Sequence, residues 1–383
     1  MSPLNNDYGT AIVLQGGGAL GAYELGVLKA LYETRPGFKP SVVTGISIGA
    51  ITAAVLGGAK GDPNQKLERL WREKLTVEQP LPPGFQSTYQ TFVPKVFQRS
   101  LAVMGNPGMY QPRLDHFYEP WRRTSFYDTS PLRRTLAELV DLNKLNSGEI
   151  QVAVGAINVG TSNIEYFDNV KDEDDPDDKG WLSFEDVVAS GSLPPAFPMT
   201  KVDGNCWWDG GLFENTALSP AINRLEKGDK DKRELVVVEL IPRRSPIPQN
   251  MPDVWNRMTQ LRYTNRLQLD GKLFKRYNSY IGLIEEIDKL VEEIDNLDEE
   301  HPIRQTEGYK QLQQTEGYKQ LRKYKRIHAA SVIRAHLPPE LTQASDFSRA
   351  SIETRIEAGY RDAIEQNIEE YTPAEREVEK LTS

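Results

Sequence analysis

The sequence predicts an α/β protein: a mostly parallel central sheet with helices on both faces, continued by a largely helical C-terminal region. Three features carry that expectation. The run AIVLQGGGALGAYELGVLKAL passes from an apolar strand, Ala11 to Gln15, through a glycine turn into a helix, about Ala19 to Leu31. The run SVVTGISIGA, Ser41 to Ala50, repeats that strand, turn and helix. Beyond Pro242 the alternation stops, and Leu273, Tyr277, Tyr280, Ile284, Ile287, Val291 and Ile294 recur at steps of four and three. Strands covered on both faces by crossover helices read as continuous apolar runs, as the first two segments do.

Taken in order, the first turn holds Gly16, Gly17 and Gly18, whose backbone N–H groups can face an anion at the start of a helix. The same letters, Gly16-x-Gly18-x-x-Gly21, fit a dinucleotide-binding fingerprint. That reading wants an acidic residue at the end of the next strand to hold a ribose. The next strand, near Val42 and Val43, ends instead in Thr44-Gly45-Ile46-Ser47. Gly45-Ile46-Ser47-Ile48-Gly49 is a G-x-S-x-G elbow, a turn too tight for side chains at its glycines. It pushes the serine hydroxyl out at the tip, with a helix N-terminus beneath it. A glycine turn one βαβ unit earlier supplies donors for the oxyanion that serine attack creates. Further strands are expected at Gln151 to Ala156, Asn163 to Phe167 and Leu235 to Leu240, while Gly57-Gly58 and Gly204 read as turns. Between about Gln79 and Thr129 the pattern dissolves into proline and aromatics, among them Phe92, Phe97 and Tyr110; this stretch reads as either a lid or an inserted segment. The acidic run Lys171 to Gly180 lacks calcium-loop spacing and reads as a solvated loop.

The prolines and serines of IPRRSPIPQNMP mark a boundary, dividing the chain into residues 8–242 and a helical extension, 243–383. The four-and-three seam is either a short coiled coil, through which the extension self-associates, or a plain amphipathic helix. Glu285 to Glu300 holds nine carboxylates and one lysine, whereas His301 to Arg326 holds seven Lys or Arg against two Glu. Opposite charge on consecutive segments favours an antiparallel hairpin over a basic, membrane-facing arm. Inside the basic segment QTEGYKQLQ, from Gln305, is followed at once by QTEGYKQLR, from Gln314. Nine residues are about two and a half helical turns, so in one continuous helix Tyr309 and Tyr318 face opposite sides. That favours an exposed, tolerated insertion.

Composition bounds the function. The 383 residues carry a net charge of −9, which argues against a nucleic-acid partner. Cys206 is the single cysteine, so no disulfide forms within the chain and a reducing compartment fits. The N-terminus lacks a basic signal-like region and no uncharged run is long enough to span a bilayer. The expected setting is cytoplasmic, with peripheral membrane contact left open.

A serine nucleophile needs a base, usually a histidine oriented by a carboxylate. Of the four histidines, His301, His328 and His336 lie in or beside the charged helical region and His116 lies in the irregular insert, so none has a triad context. Asp209, after Trp207 and Trp208 and before Gly210-Gly211, is the better candidate. Desolvation raises a carboxylate's pKa and makes it a stronger base, and the glycines allow close backbone approach. Taken alone, Asp-Gly-Gly is equally a β-turn. Cys206 reads as a small buried hydrophobe, and the two tryptophans as core and wall, with one of them open to line an acyl site.

In that order, Gly16-Gly17-Gly18, Gly45-Ile46-Ser47-Ile48-Gly49, ASGSLPPAFP (Ala189 to Pro198) and Asp209-Gly210-Gly211 resemble the motifs of the bacterial patatin-like phospholipase family. The resemblance covers about Thr10 to Ala221. It implies a patatin-like α/β fold and a histidine-free dyad of Ser47 as nucleophile and Asp209 as base. It also implies an oxyanion hole from the glycine turn, Gly17 and Gly18, to which the elbow geometry adds the Ile48 N–H. Many members carry Arg or Lys two residues after the third glycine, where this chain has Leu20. The implied activity is lipid acyl hydrolysis through an acyl-enzyme on a lipid or acyl-ester substrate, with no metal and no cofactor. The alternatives are a thioesterase or small-ester hydrolase and a non-enzymatic nucleotide-binding or scaffold protein. Asp346 to Ala363 resembles the extension of a bacterial subgroup of that family.

Overall fold

The computed structural model describes residues 8–77, 105–113, 124–171, 179–226, 231–241 and 247–366. The chain first alternates strand and helix: β1 (Tyr8–Leu14), α1 (Ala22–Thr34), β2 (Val42–Ile46), α2 (Ile48–Gly58) and α3 (Pro63–Arg69). A two-residue ladder, β3 (Gln111–Pro112) with β4 (Tyr127–Asp128), precedes α4 (Ser130–Leu139) and α5 (Leu142–Leu145). Next come β5 (Gln151–Asn158), β6 (Ile164–Asp168), α6 (Phe184–Ser190), β7 (Thr200–Val202), β8 (Asn205–Asp209), α7 (Leu218–Glu226) and β9 (Lys232–Glu239). The remainder holds α8 (Met251–Asp295), α9 (Glu307–Gln314), α10 (Glu316–Leu321), β10 (Ala329–Arg334) and α11 (Arg349–Glu365).

The main sheet runs β10-β9-β1-β2-β5-β8-β7, with β6 also pairing β5. Pairing is parallel from β10 to β5 and antiparallel for β6, β8 and β7. Both faces are covered. Ile12, Leu14, Val43, Val236 and Val238 join the larger core with α1 and α2. Ala11, Val13, Val42, Leu235 and Val237 join a second core under Leu218, Ala221 and Leu225 of α7. This two-sided burial is why β1 reads as an unbroken apolar run.

All five expected strands are present. The hairpin of β7 and β8, turning at Gly204 with φ +80°, and the strand β10 were not foreseen. Through β10 the sheet continues past residue 242. Gly57 and Gly58 are the last residues of α2, not a turn, and press against Val152 and Val140. Residues 78–104 and 114–123, which carry most of the insert's aromatics and His116, lie outside the described residues, as do 172–178 of the acidic run. Within the described part of the insert, the Tyr110 ring packs 4.8 Å from Tyr127 and 5.2 Å from Phe197, centroid to centroid.

The acidic and basic segments form the antiparallel hairpin. Arg322 pairs with Asp288 at 2.9 Å, Arg304 reaches Asp295 at 3.8 Å, and the Arg326 N–H donates to Glu285. Val291 of the seam is buried, whereas Leu273, Tyr277 and Tyr280 are exposed. The two tyrosines correct an expectation. No single helix runs through the repeat, because Thr315 is extended (φ −63°, ψ 118°), ending α9 and starting α10. The break resets the phase, so Tyr309 and Tyr318 both donate to α8, onto Asp295 and Asp288, two turns apart. Tyr318 is buried rather than a tolerated surface residue. At the chain's far end α11 lies against α1, so closely that Gly26 and Gly359 each leave no room for a side chain beside the other helix's backbone. Tyr23 of α1 locks this contact by donating to Asp362 at 3.0 Å.

Candidate active site

Strand register brings the candidate residues to one level. Leu14 of β1 pairs with Gly45 of β2, so the chain leaves the sheet at Gly16 and Ser47 side by side. A Cβ placed on Gly16 would lie 3.2 Å from that of Ser47. Ile46 pairs with Gly155 of β5, and on the next rung Ala156 pairs with Asp209 of β8. Asp209 therefore stands level with Ser47, one strand removed, and it ends a strand rather than sitting in a free β-turn.

Ser47 has φ 55° and ψ −118°, left-handed backbone that a non-glycine residue adopts only when its surroundings impose it. The close approach of Gly45 imposes it here: a Cβ there would lie 2.3 Å from the Gly49 carbonyl. Gly49 in turn lies against the Leu14 carbonyl. The Ser47 N–H donates to Ser190 Oγ at 3.0 Å, and Ser47 stands at the position before α2 with no capping hydrogen bond from its side chain. Ile48 is the first residue of that helix, and its N–H donates to no described residue.

Asp209 is 2% exposed. Burial pushes its carboxyl up to about 7, against the downward pull of the Ser47 hydroxyl as a hydrogen-bonding neighbour and of the Gly211 N–H. That N–H donates to Asp209 Oδ1 at 2.7 Å, and the Asp209 N–H donates to the Ser192 carbonyl. Gly210 lets the chain pass against the Gly155 carbonyl.

The segment after Asp209 is stitched back over the strand ends. Asn215 exchanges two hydrogen bonds with Gly16: its Nδ2 donates to the Gly16 carbonyl at 2.7 Å, and the Gly16 N–H donates to its carbonyl. Gln15, fully buried, donates to Thr216 and accepts from the Leu240 and Ile241 N–H groups. Thr44 donates to the Ala217 carbonyl. Beyond this frame, the Gly17 and Gly18 N–H groups donate to no described residue. Sequence reasoning named Ser47, Asp209 and the glycines. It missed Gln15, Asn215 and Thr216, and named Ser190 only within a motif, because ordinary polar residues carry no local sign of the long-range partner they meet.

The described histidines lie elsewhere. The His328 N–H donates to the Arg233 carbonyl near the amino end of β9, His336 is beside Asp362 and Gln366, and His301 caps a turn in the charged hairpin. Cys206 is half-buried rather than buried. Trp207 is core, edge-on to Phe167 at 4.8 Å.

A mostly parallel sheet covered on both faces, with a G-x-S-x-G elbow and a glycine turn at adjoining carboxyl ends of its strands, defines an α/β architecture with the motifs of the sequence gathered at one end. The chain belongs to the patatin-like phospholipase family, whose model matches residues 12–222, more than half of its length. Among solved structures it is similar to VipD from Legionella pneumophila, with 16% identity and a TM-score of 0.35, over 94% of this chain and 66% of that one. No curated protein matches it. Among the described residues no helix is long and apolar enough to cross a membrane.

Proposed function

We propose that the protein cleaves carboxylic esters of lipids, as a phospholipase A or lysophospholipase, through a dyad of Ser47 and Asp209. Asp209 accepts the Ser47 hydroxyl proton as Oγ attacks the ester carbonyl. The N–H groups of Gly17, Gly18 and Ile48 receive the oxyanion. The proton passes to the leaving alcohol, an acyl-serine remains, and Asp209 then activates the water that releases the acid. The observation that carries this reading is the strand register that sets the buried Asp209 level with Ser47; burial raises its carboxyl to about 7, where a carboxylate is both available and basic near neutral pH. The apolar side chains of Leu193 and Phe213, exposed on segments that adjoin Asp209, support a lipid over a small polar ester.

The test is fluorophosphonate labelling with peptide mapping, together with hydrolysis of one ester series as monomers and as micelles. Label is expected on Ser47 alone, absent from Ser47→Ala, with faster turnover at micelles. Label elsewhere with full activity in Ser47→Ala would overturn the dyad. Equal turnover on monomers and micelles would move the reading to a small-ester hydrolase or thioesterase.

A further inference from the structure

The glycine turn is held by the far end of the chain as well as by its own hydrogen bonds, such as that from the Leu20 N–H to the Gly17 carbonyl. Its carbonyl and N–H at Ala19 are both taken by the C-terminal part of the chain, more than three hundred residues away in sequence. The Ala19 N–H donates to the Ala344 carbonyl at 2.7 Å, and the Ala19 carbonyl accepts from Arg355 Nη1 at 3.4 Å. Gly18 has φ +56°, and a Cβ there would lie 2.5 Å from the Ala344 carbonyl oxygen, so the loop before α11 sits directly on the turn.

Arg355 organises that loop as well. Its side chain is fully buried, and its guanidinium donates to the carbonyls of Leu341 (3.0 Å), Gln343 (3.0 Å) and Asp346 (2.6 Å) besides that of Ala19. Among the described residues no carboxylate forms an ion pair with it, although the Asp346 charge is near enough to favour its protonated form. A cation without a bonded counter-ion is costly to bury, and the four carbonyl dipoles are what offset that cost here. A planar fork of donors can bind several carbonyls at fixed angles, which lysine cannot do.

We infer that Arg355 is a positioning residue for the reaction: it clamps residues 341–346 onto Ala19, and so sets where the Gly17 and Gly18 N–H groups point. On this view the region beyond residue 242 completes the oxyanion site rather than standing apart from it. The inference rests on the proposed dyad for its catalytic part only, since the clamp is a structural claim in its own right. Misplacing a catalytic group by about 1 Å can cost on the order of a hundredfold in rate, so a loosened turn has a measurable signature.

The test uses Arg355→Lys and Arg355→Gln in the full chain, each checked for folding by circular dichroism and melting. Three readouts are compared with wild type: hydrogen exchange of the peptide spanning Gln15 to Leu20, kcat and KM on a monomeric ester, and affinity for a trifluoromethyl ketone. That ketone forms a tetrahedral adduct with a reactive serine and so reports oxyanion binding. Faster exchange at the turn is expected in a folded variant. So is a fall of about ten- to a hundredfold in kcat at little-changed KM, with a parallel loss of ketone affinity. Lysine keeps the charge but not the fork, so Arg355→Lys is expected to recover only part of the loss. A folded Arg355→Lys with wild-type exchange, kcat and ketone affinity overturns the inference. If both variants melt early while kcat per folded molecule is unchanged, Arg355 is structural only and the inference also fails. If wild type neither labels on Ser47 nor hydrolyses esters, the dyad reading falls, while the exchange readout still judges the clamp.

Discussion

Asp209→Asn is expected to make the protein more stable at alkaline pH while removing its activity. The wild-type carboxyl is raised from 3.8 to about 7 by burial. The folded state therefore holds a proton that the unfolded state releases. Stability from this group is fully present below the unfolded value and is lost as pH rises through the folded one, between about pH 4 and pH 7. A shift of about 3 units corresponds to about 4 kcal/mol above that window, and to about 2 to 3 kcal/mol between pH 5 and pH 8. At 2% exposure little of this is screened by solvent. Asparagine keeps an oxygen to accept from the Gly211 N–H and carries no charge. Urea denaturation of both proteins at pH 5 and pH 8 gives the difference, from which other raised carboxyls such as Glu24 and Glu226 cancel. The variant should gain about 2 to 3 kcal/mol on the wild type over that interval. A difference independent of pH would show that Asp209 ionises in the folded protein like a solvated carboxylate, and would remove the argument for its basicity.

The other expectations are direct. If Asp209 is the base, kcat/KM should rise with pH through an acidic limb near 7, the value given by its burial, and level off above it; a limb near 4 would exclude it. Asp209→Asn should lower kcat about a hundredfold or more, whereas single replacement of His116, His301, His328 or His336 should leave most activity, measured on a monomeric ester. Tyr318→Phe removes the buried hydroxyl that donates to Asp288 and should cost about 1 kcal/mol in urea denaturation, against less for Tyr309→Phe at the half-buried copy, whose bond to Asp295 is solvent-exposed. Equal losses would mean that the two copies are held alike.

The elements of the site that could be read without the structure are those whose chemistry is local. A tight turn excludes Cβ atoms, so Gly45 and Gly49 mark the elbow and point to Ser47 wherever the rest of the chain goes. Gly16 to Gly18 mark a turn for the same steric reason. Strands buried on both faces carry long apolar runs, which made β1, β2, β5 and β9 visible. The strands β7 and β8, three and five residues long, are too short for a period to declare itself, and β10 follows a charged segment that masks it. The tandem repeat was visible letter by letter, yet its phase depended on one extended residue, Thr315.

What the sequence by itself determined is the fold class, the order of the motifs and the glycine-flanked turns, because steric exclusion and burial period act over a few residues; Asp209 stood out there only through the company of the other motifs. Tertiary structure alone decided that Asp209 lies level with Ser47 and that its carboxyl is pushed to about 7. It alone brought Asn215 to Gly16, and Arg355 and Ala344 to Ala19. Register, desolvation and hydrogen bonding between distant segments are properties of which surfaces meet. No residue's immediate neighbours in the chain record that meeting.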